Sequence, residues 1–167
     1  MKNAPRATVV VVILGVAAVV LYAVFAAVQI LVLNPLAAVP GASLESIYGE
    51  MAAAGETGFP TMTLLTLGAG CVFAVLVGVA VLRARLIPEG ALMMFLAVLV
   101  GGAPAYFFAS FGIGMSLADT FAISGGDHSP WSSVLYGVSL LSLVAVVVLA
   151  VARVVRDRSR PEPVTAQ

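Results

Sequence analysis

Five of the eight acids, Glu45, Glu50, Glu56, Asp119 and Asp127, cluster with the only histidine, His128, in two segments between long apolar runs, where they could do acid–base or metal chemistry. If those two segments fold together, Gly125-Gly126-Asp127-His128 presents a carboxylate and an imidazole beside a further acid. Asp127, His128, Asp119 and Glu45 are then weak candidates for a divalent metal such as zinc. No HxxxH or HExxH pair supports such a site, so the Gly-Gly-Asp string reads first as a turn into the following helix.

Catalysis inside the apolar runs requires a nucleophile with a base, or paired acids. The runs contain no Asp, Glu, Lys, Arg or His. Ser110, Ser139, Ser142 and the threonines near residue 63 therefore lack a partner base, and such hydroxyls usually bond to a carbonyl one turn back. The lone Cys71 excludes an intramolecular disulfide and a CxxC redox pair. No catalytic residue and no cofactor is expected, and the chain does not read as an enzyme. The absence of intramembrane charge also argues against ion-coupled transport, and no basic domain for nucleic acid is present.

The positioning elements follow from composition. Hydrophobic residues make up 62% and charged residues 10% of the 167-residue chain, whose mean hydropathy is +1.14. Soluble domains carry about 25% charged residues. Four uncharged runs reach the roughly 20 residues that cross hydrocarbon, and continuous apolarity selects helices because a helix satisfies its own backbone groups without water. The expected fold is all-α, a single polytopic membrane domain over residues 1–158. Its spans run over about 7–33, 59–82, 91–111 and 131–152, with outer loops 34–58 and 112–130 and a disordered cytoplasmic tail over 159–167.

Charge sets the expected orientation. All eight basic residues, Lys2, Arg6, Arg83, Arg85, Arg153, Arg156, Arg158 and Arg160, fall on the side of the termini, whereas the other side carries the five acids named above. The positive-inside rule then places both termini in the cytoplasm, in the cell membrane. The first run is too long for a secretory signal and reads as an uncleaved anchor.

Local signals refine this picture. Asn34-Pro35 is expected to end the first span, since a residue before proline is pushed out of helical geometry, and Gln29 and Asn34 read as amides at the membrane interface. Ser43 as N-cap, Gly55 as stop, and Leu44, Ile47, Tyr48 and Met51 at helical spacing predict a short amphipathic helix in the first outer loop. Pro104 predicts a kink that frees the carbonyl near Val100, and Ser129-Pro130-Trp131 predicts a helix start with Ser129 as cap. Small residues repeat every four positions, Thr66, Gly70, Ala74 and Gly78 on the second span and Ala97, Gly101, Ala105 and Ala109 on the third, and the two ladders are expected to pack face to face.

Function is accordingly expected to lie in contact. The leading reading is an accessory or structural subunit acting through helix packing and an acidic outer cap, with the lipid bilayer and a homo-oligomer or a membrane protein as partners. The alternatives are a small channel or transporter component in which the kinked third helix lines a path, and an outer-face metal-binding protein.

Overall fold

The computed structural model describes residues 5–57 and 59–159, and every regular element among them is helical. Lys2, Arg160, Glu162 and the expected tail beyond Ser159 lie outside the described residues. The chain forms α1 (Arg6–Val28), a π-helical turn (Gln29–Leu33), α2 (Asn34–Ala38), α3 (Leu44–Ala53), α4 (Phe59–Arg83), α5 (Pro88–Val100), α6 (Gly102–Phe121) and α7 (Ser132–Arg158).

Four helical stretches, Arg6–Ala38, Phe59–Arg83, Pro88–Phe121 and Ser132–Arg158, are long and apolar enough to cross a membrane. Their outward side chains are themselves apolar: Leu14, Leu21, Leu76, Phe108 and Leu141 are each at least 60% exposed. A surface of that kind is unfavourable in water and neutral in hydrocarbon.

α1 packs against α4 and α5, α7 against α5 and α6, and α4 against α6. One apolar cluster joins Val12, Val19, Ala74, Val77, Val81, Ala91 and Phe95. It is closed by glycines where helices touch. A Cβ on Gly15 would enter the Phe95 ring, and one on Gly78 would reach Val12. The second cluster gathers Ala26, Ile30, Tyr106, Ile113 and Leu135, with Ile47 and Met51 of α3 as its lid.

The two ends differ in charge. The described arginines all sit where α1 and α5 begin and where α4 and α7 end, and Glu89 is held there by Arg156 at 2.8 Å and Arg153 at 3.5 Å. The opposite end carries Glu45, Glu50, Glu56, Asp119 and Asp127 and none of the described arginines.

Several local expectations need correction. The first helical stretch does not stop at Asn34-Pro35 but runs to Ala38, because a π-helical turn precedes the proline and relieves its clash with the preceding turn. Pro35 has no N–H to give the carbonyl of Leu31, and Tyr48 Oη donates to that oxygen instead at 2.9 Å. The third stretch runs past Phe111 to Phe121, since Ile113 and Leu117, expected in an outer loop, are buried in the second cluster. It breaks at Gly101, and the free carbonyl that finds a hydroxyl is Leu99, which accepts from Ser139 Oγ at 2.8 Å. α7 begins at Ser132, and Ser129 stands in the turn just before it, where its Oγ accepts the Trp131 N–H at 3.4 Å in the manner expected of a cap.

Candidate functional site at the acidic end

The π-helical turn is the element on which this site rests. A widened turn is a common mark of a functional position, and here it holds Gln29 and Ile30 in the interior. Gln29 is fully buried; its Oε1 accepts from Ser129 Oγ at 3.1 Å and its Nε2 donates to the Ser129 carbonyl at 3.4 Å. The amides of Gln29 and Asn34 both bond to the segment before α7.

Asn34, one turn further on, is only 5% exposed. Its Oδ1 accepts two backbone N–H groups, from His128 at 2.7 Å and Ser129 at 3.2 Å. These two donors assign the amide's orientation. Nδ2 is thus the free donor, and it finds no acceptor among the described residues.

The partners of these amides lie in the connection between α6 and α7. Ala122 ends α6 in the left-handed region at φ +53°, and the chain then turns back along the helix. Gly125 comes so close to Gly114 that a Cβ on Gly114 would run into the Gly125 carbonyl. That approach fixes Asp127, whose Oδ1 accepts from Tyr106 Oη at 2.7 Å. Tyr106 in turn meets the Tyr136 ring edge-on, 5.4 Å between centroids.

A pocket of about 190 Å³ opens beside this arrangement, and Asp127, Asn34, Tyr136, Phe107, Phe111 and Gly126 line it. Phe107 and Phe111 lie one turn apart on α6, with ring centroids 6.1 Å apart.

The four metal candidates are not brought together. His128 donates through Nε2 to the Ser124 carbonyl at 2.8 Å, Asp127 faces Tyr106, and Glu45 and Asp119 are exposed elsewhere on this end. Among the described residues no three His, Cys, Asp or Glu side chains converge to hold a metal ion. Two of the other acids anchor neighbouring chain: Glu56 accepts from the buried Ser116 Oγ at 2.9 Å and Glu50 from Ser46 Oγ at 3.1 Å. Burial of Tyr48 nearby pushes its hydroxyl above the usual tyrosine range.

Several hydroxyls of the long helices are occupied by carbonyls, whereas Tyr22 Oη and Thr120 Oγ1 are buried with no partner among the described residues. Thr66, Ser110 and Ser142 bond within their own helix, whereas Thr63 reaches the Ala109 carbonyl of α6 at 2.8 Å. The small-residue ladders divide. Ala74 and Gly78 turn toward α1 and α5, while Thr66, Gly70, Ala97, Gly101 and Ala105 line one open apolar groove of about 250 Å³, with Tyr22 and Phe73 at its walls.

Asn34 stood out in the sequence as a polar member of the first run, whereas nothing there singled out Tyr106, Tyr136, Phe107 or Phe111. The i, i+4 pair of phenylalanines is a readable signal for one helix face. The role of Asn34 was hidden behind its proline neighbour, which pointed to a helix end. No family model matches this chain, and no curated protein or solved structure matches it significantly.

Proposed function

We propose that this chain is a multi-pass protein of the cell membrane, both termini cytoplasmic, that has no catalytic activity of its own and acts by contact, as an accessory subunit or small oligomer. The observation that carries this reading is the open groove between α4 and the α5–α6 helix. Gly70, Gly101, Ala97 and Ala105 leave backbone accessible there. In lipid, small residues let another helix approach closely, and dispersion contacts and close packing then replace the missing hydrophobic drive. The acidic end supports the orientation, because the positive-inside rule assigns the arginine-bearing end to the cytoplasm.

The groove is tested by Gly70→Leu. A side chain at Gly70 meets open space within the protomer, as does one at Gly68, which is exposed outside the groove. In nanodiscs, native mass spectrometry should show a discrete complex that Gly70→Leu dissociates and Gly68→Leu leaves intact. Monomers alone, with no associated protein, would refute the reading. Orientation is checked in intact cells with a membrane-impermeant thiol reagent after Cys71→Ser. Ser46→Cys should react and Ser159→Cys should not; the reverse pattern would invert the topology.

A further inference from the structure

We infer that the acidic-end pocket binds a small alkylammonium group carrying a hydrogen-bond acceptor, the chemistry of an ethanolamine or choline headgroup. Four features of the site converge on that ligand.

The charge of this end asks for a cation. Five carboxylates stand here, and no described arginine reaches them. Glu50 and Glu56 accept from neighbouring serines and Glu45 and Asp119 stand exposed, whereas Asp127, exposed as well, sits at the pocket. One of its oxygens is taken by Tyr106, and the other has no protein partner among the described residues. A primary ammonium, as in ethanolamine, supplies both the charge and a donor for that second oxygen, and a quaternary one, as in choline, supplies the charge alone.

The walls favour an organic cation over a metal ion. Phe107, Phe111 and Tyr136 line the space, with no further carboxylate among the lining residues. Aromatic rings attract alkylammonium ions through their quadrupole and give a hard cation no oxygen ligands.

Asn34 supplies the requirement for an acceptor. It is 5% exposed, lines the pocket, and holds an unpartnered Nδ2 donor while its Oδ1 is committed to His128 and Ser129. Nδ2 is not among the buried atoms without a partner and so keeps access to the pocket, where a hydroxyl, phosphate-ester or carboxylate oxygen on the ligand accepts from it. The volume, about 190 Å³, is below that of sites for drug-sized molecules and fits a headgroup or a free amino alcohol.

Phe107, Phe111 and Tyr136 are 52%, 57% and 40% exposed, so the pocket opens sideways between the apolar helix surface and the acidic end. That position admits a ligand from either the bilayer or solution.

The test uses the full chain in two settings. Isothermal titration in detergent reads binding of free choline and free ethanolamine. Native mass spectrometry from nanodiscs of mixed phosphatidylethanolamine, phosphatidylcholine and phosphatidylglycerol reads the retained lipid. Asp127→Asn keeps an acceptor for Tyr106 and removes the charge, and Phe111→Leu removes a half-exposed ring. Binding or retention should weaken at least about tenfold in the first variant and about threefold in the second. Saturable binding of a free amine identifies a soluble ligand; retention of the zwitterionic lipids alone identifies a headgroup. Equal retention of phosphatidylglycerol with no binding of either free amine overturns the inference, as does binding that either substitution leaves unchanged.

Discussion

Tyr48 donates its phenolic proton to the carbonyl of Leu31 at 2.9 Å, and Leu31 is the residue four before Pro35. A proline inside a helix leaves the carbonyl one turn back without its backbone donor. The short helix α3 supplies the replacement, which ties it to the end of the first long helix and lets that helix continue through a proline.

Tyr48→Phe should therefore destabilise the fold by about 1 kcal/mol in thermal unfolding, the net worth of a partly buried hydrogen bond. In a Pro35→Ala background a backbone N–H returns, and the cost should fall; equal costs in both backgrounds would separate the two residues. Burial raises the Tyr48 pKa, so the fold holds more protons than the unfolded chain above the ordinary tyrosine range. The stabilisation is complete below about pH 10 and is lost as pH rises beyond it.

Asn34→Ala removes the acceptor of two backbone N–H groups at once. The expected loss is about 1–3 kcal/mol. Amide exchange of His128 and Ser129 should rise with it, whereas Asn34→Asp, which keeps an acceptor, should protect both amides. Unchanged exchange in the alanine variant would contradict the role given to Asn34.

Gly15 and Gly68 make opposite predictions for the same substitution. Alanine at Gly15 drives a methyl into the Phe95 ring and should cost about 1–3 kcal/mol. Alanine at Gly68 meets nothing, and should be neutral or stabilise by up to about 1 kcal/mol. Thermal unfolding of the two variants in one detergent decides the matter.

Ala122 ends α6 with φ at +53°, where a Cβ is unfavourable. Ala122→Gly should raise stability by up to about 1 kcal/mol, offset in part by the extra freedom of glycine in the unfolded chain. A lower melting temperature would show that the Ala122 methyl contributes packing that outweighs its backbone strain.

Much of the architecture was legible because hydrocarbon imposes a simple length and composition rule. Four uncharged runs implied four long apolar helices, and the one-sided arginines implied a basic end. Both are read from residue type alone, so no long-range contact was needed. Ser110, Ser142 and Thr66 bond one turn back for the same local reason.

Other features depended on distant partners. Asn34-Pro35 carries a local signal to stop, and that signal lost to a π-helical turn and a hydroxyl from Tyr48. Pro104 predicted a freed carbonyl, but which one is satisfied depended on where α7 places Ser139. The small-residue ladders were visible, yet their division between a packed half and an open groove was set by the approach of α1 to Ala74 and Gly78.

The sequence by itself determined that this chain forms long apolar helices with its charges segregated to opposite ends, since helix length and charge position are properties of contiguous residues. Only the tertiary structure decided that Asn34, Tyr106, Asp127 and Tyr136 share one site. Asn34, Tyr106 and the Asp127–Tyr136 segment lie apart in the chain, and the turn at Gln29, the break at Gly101 and the close approach of Gly114 to Gly125 together bring them within reach of one another.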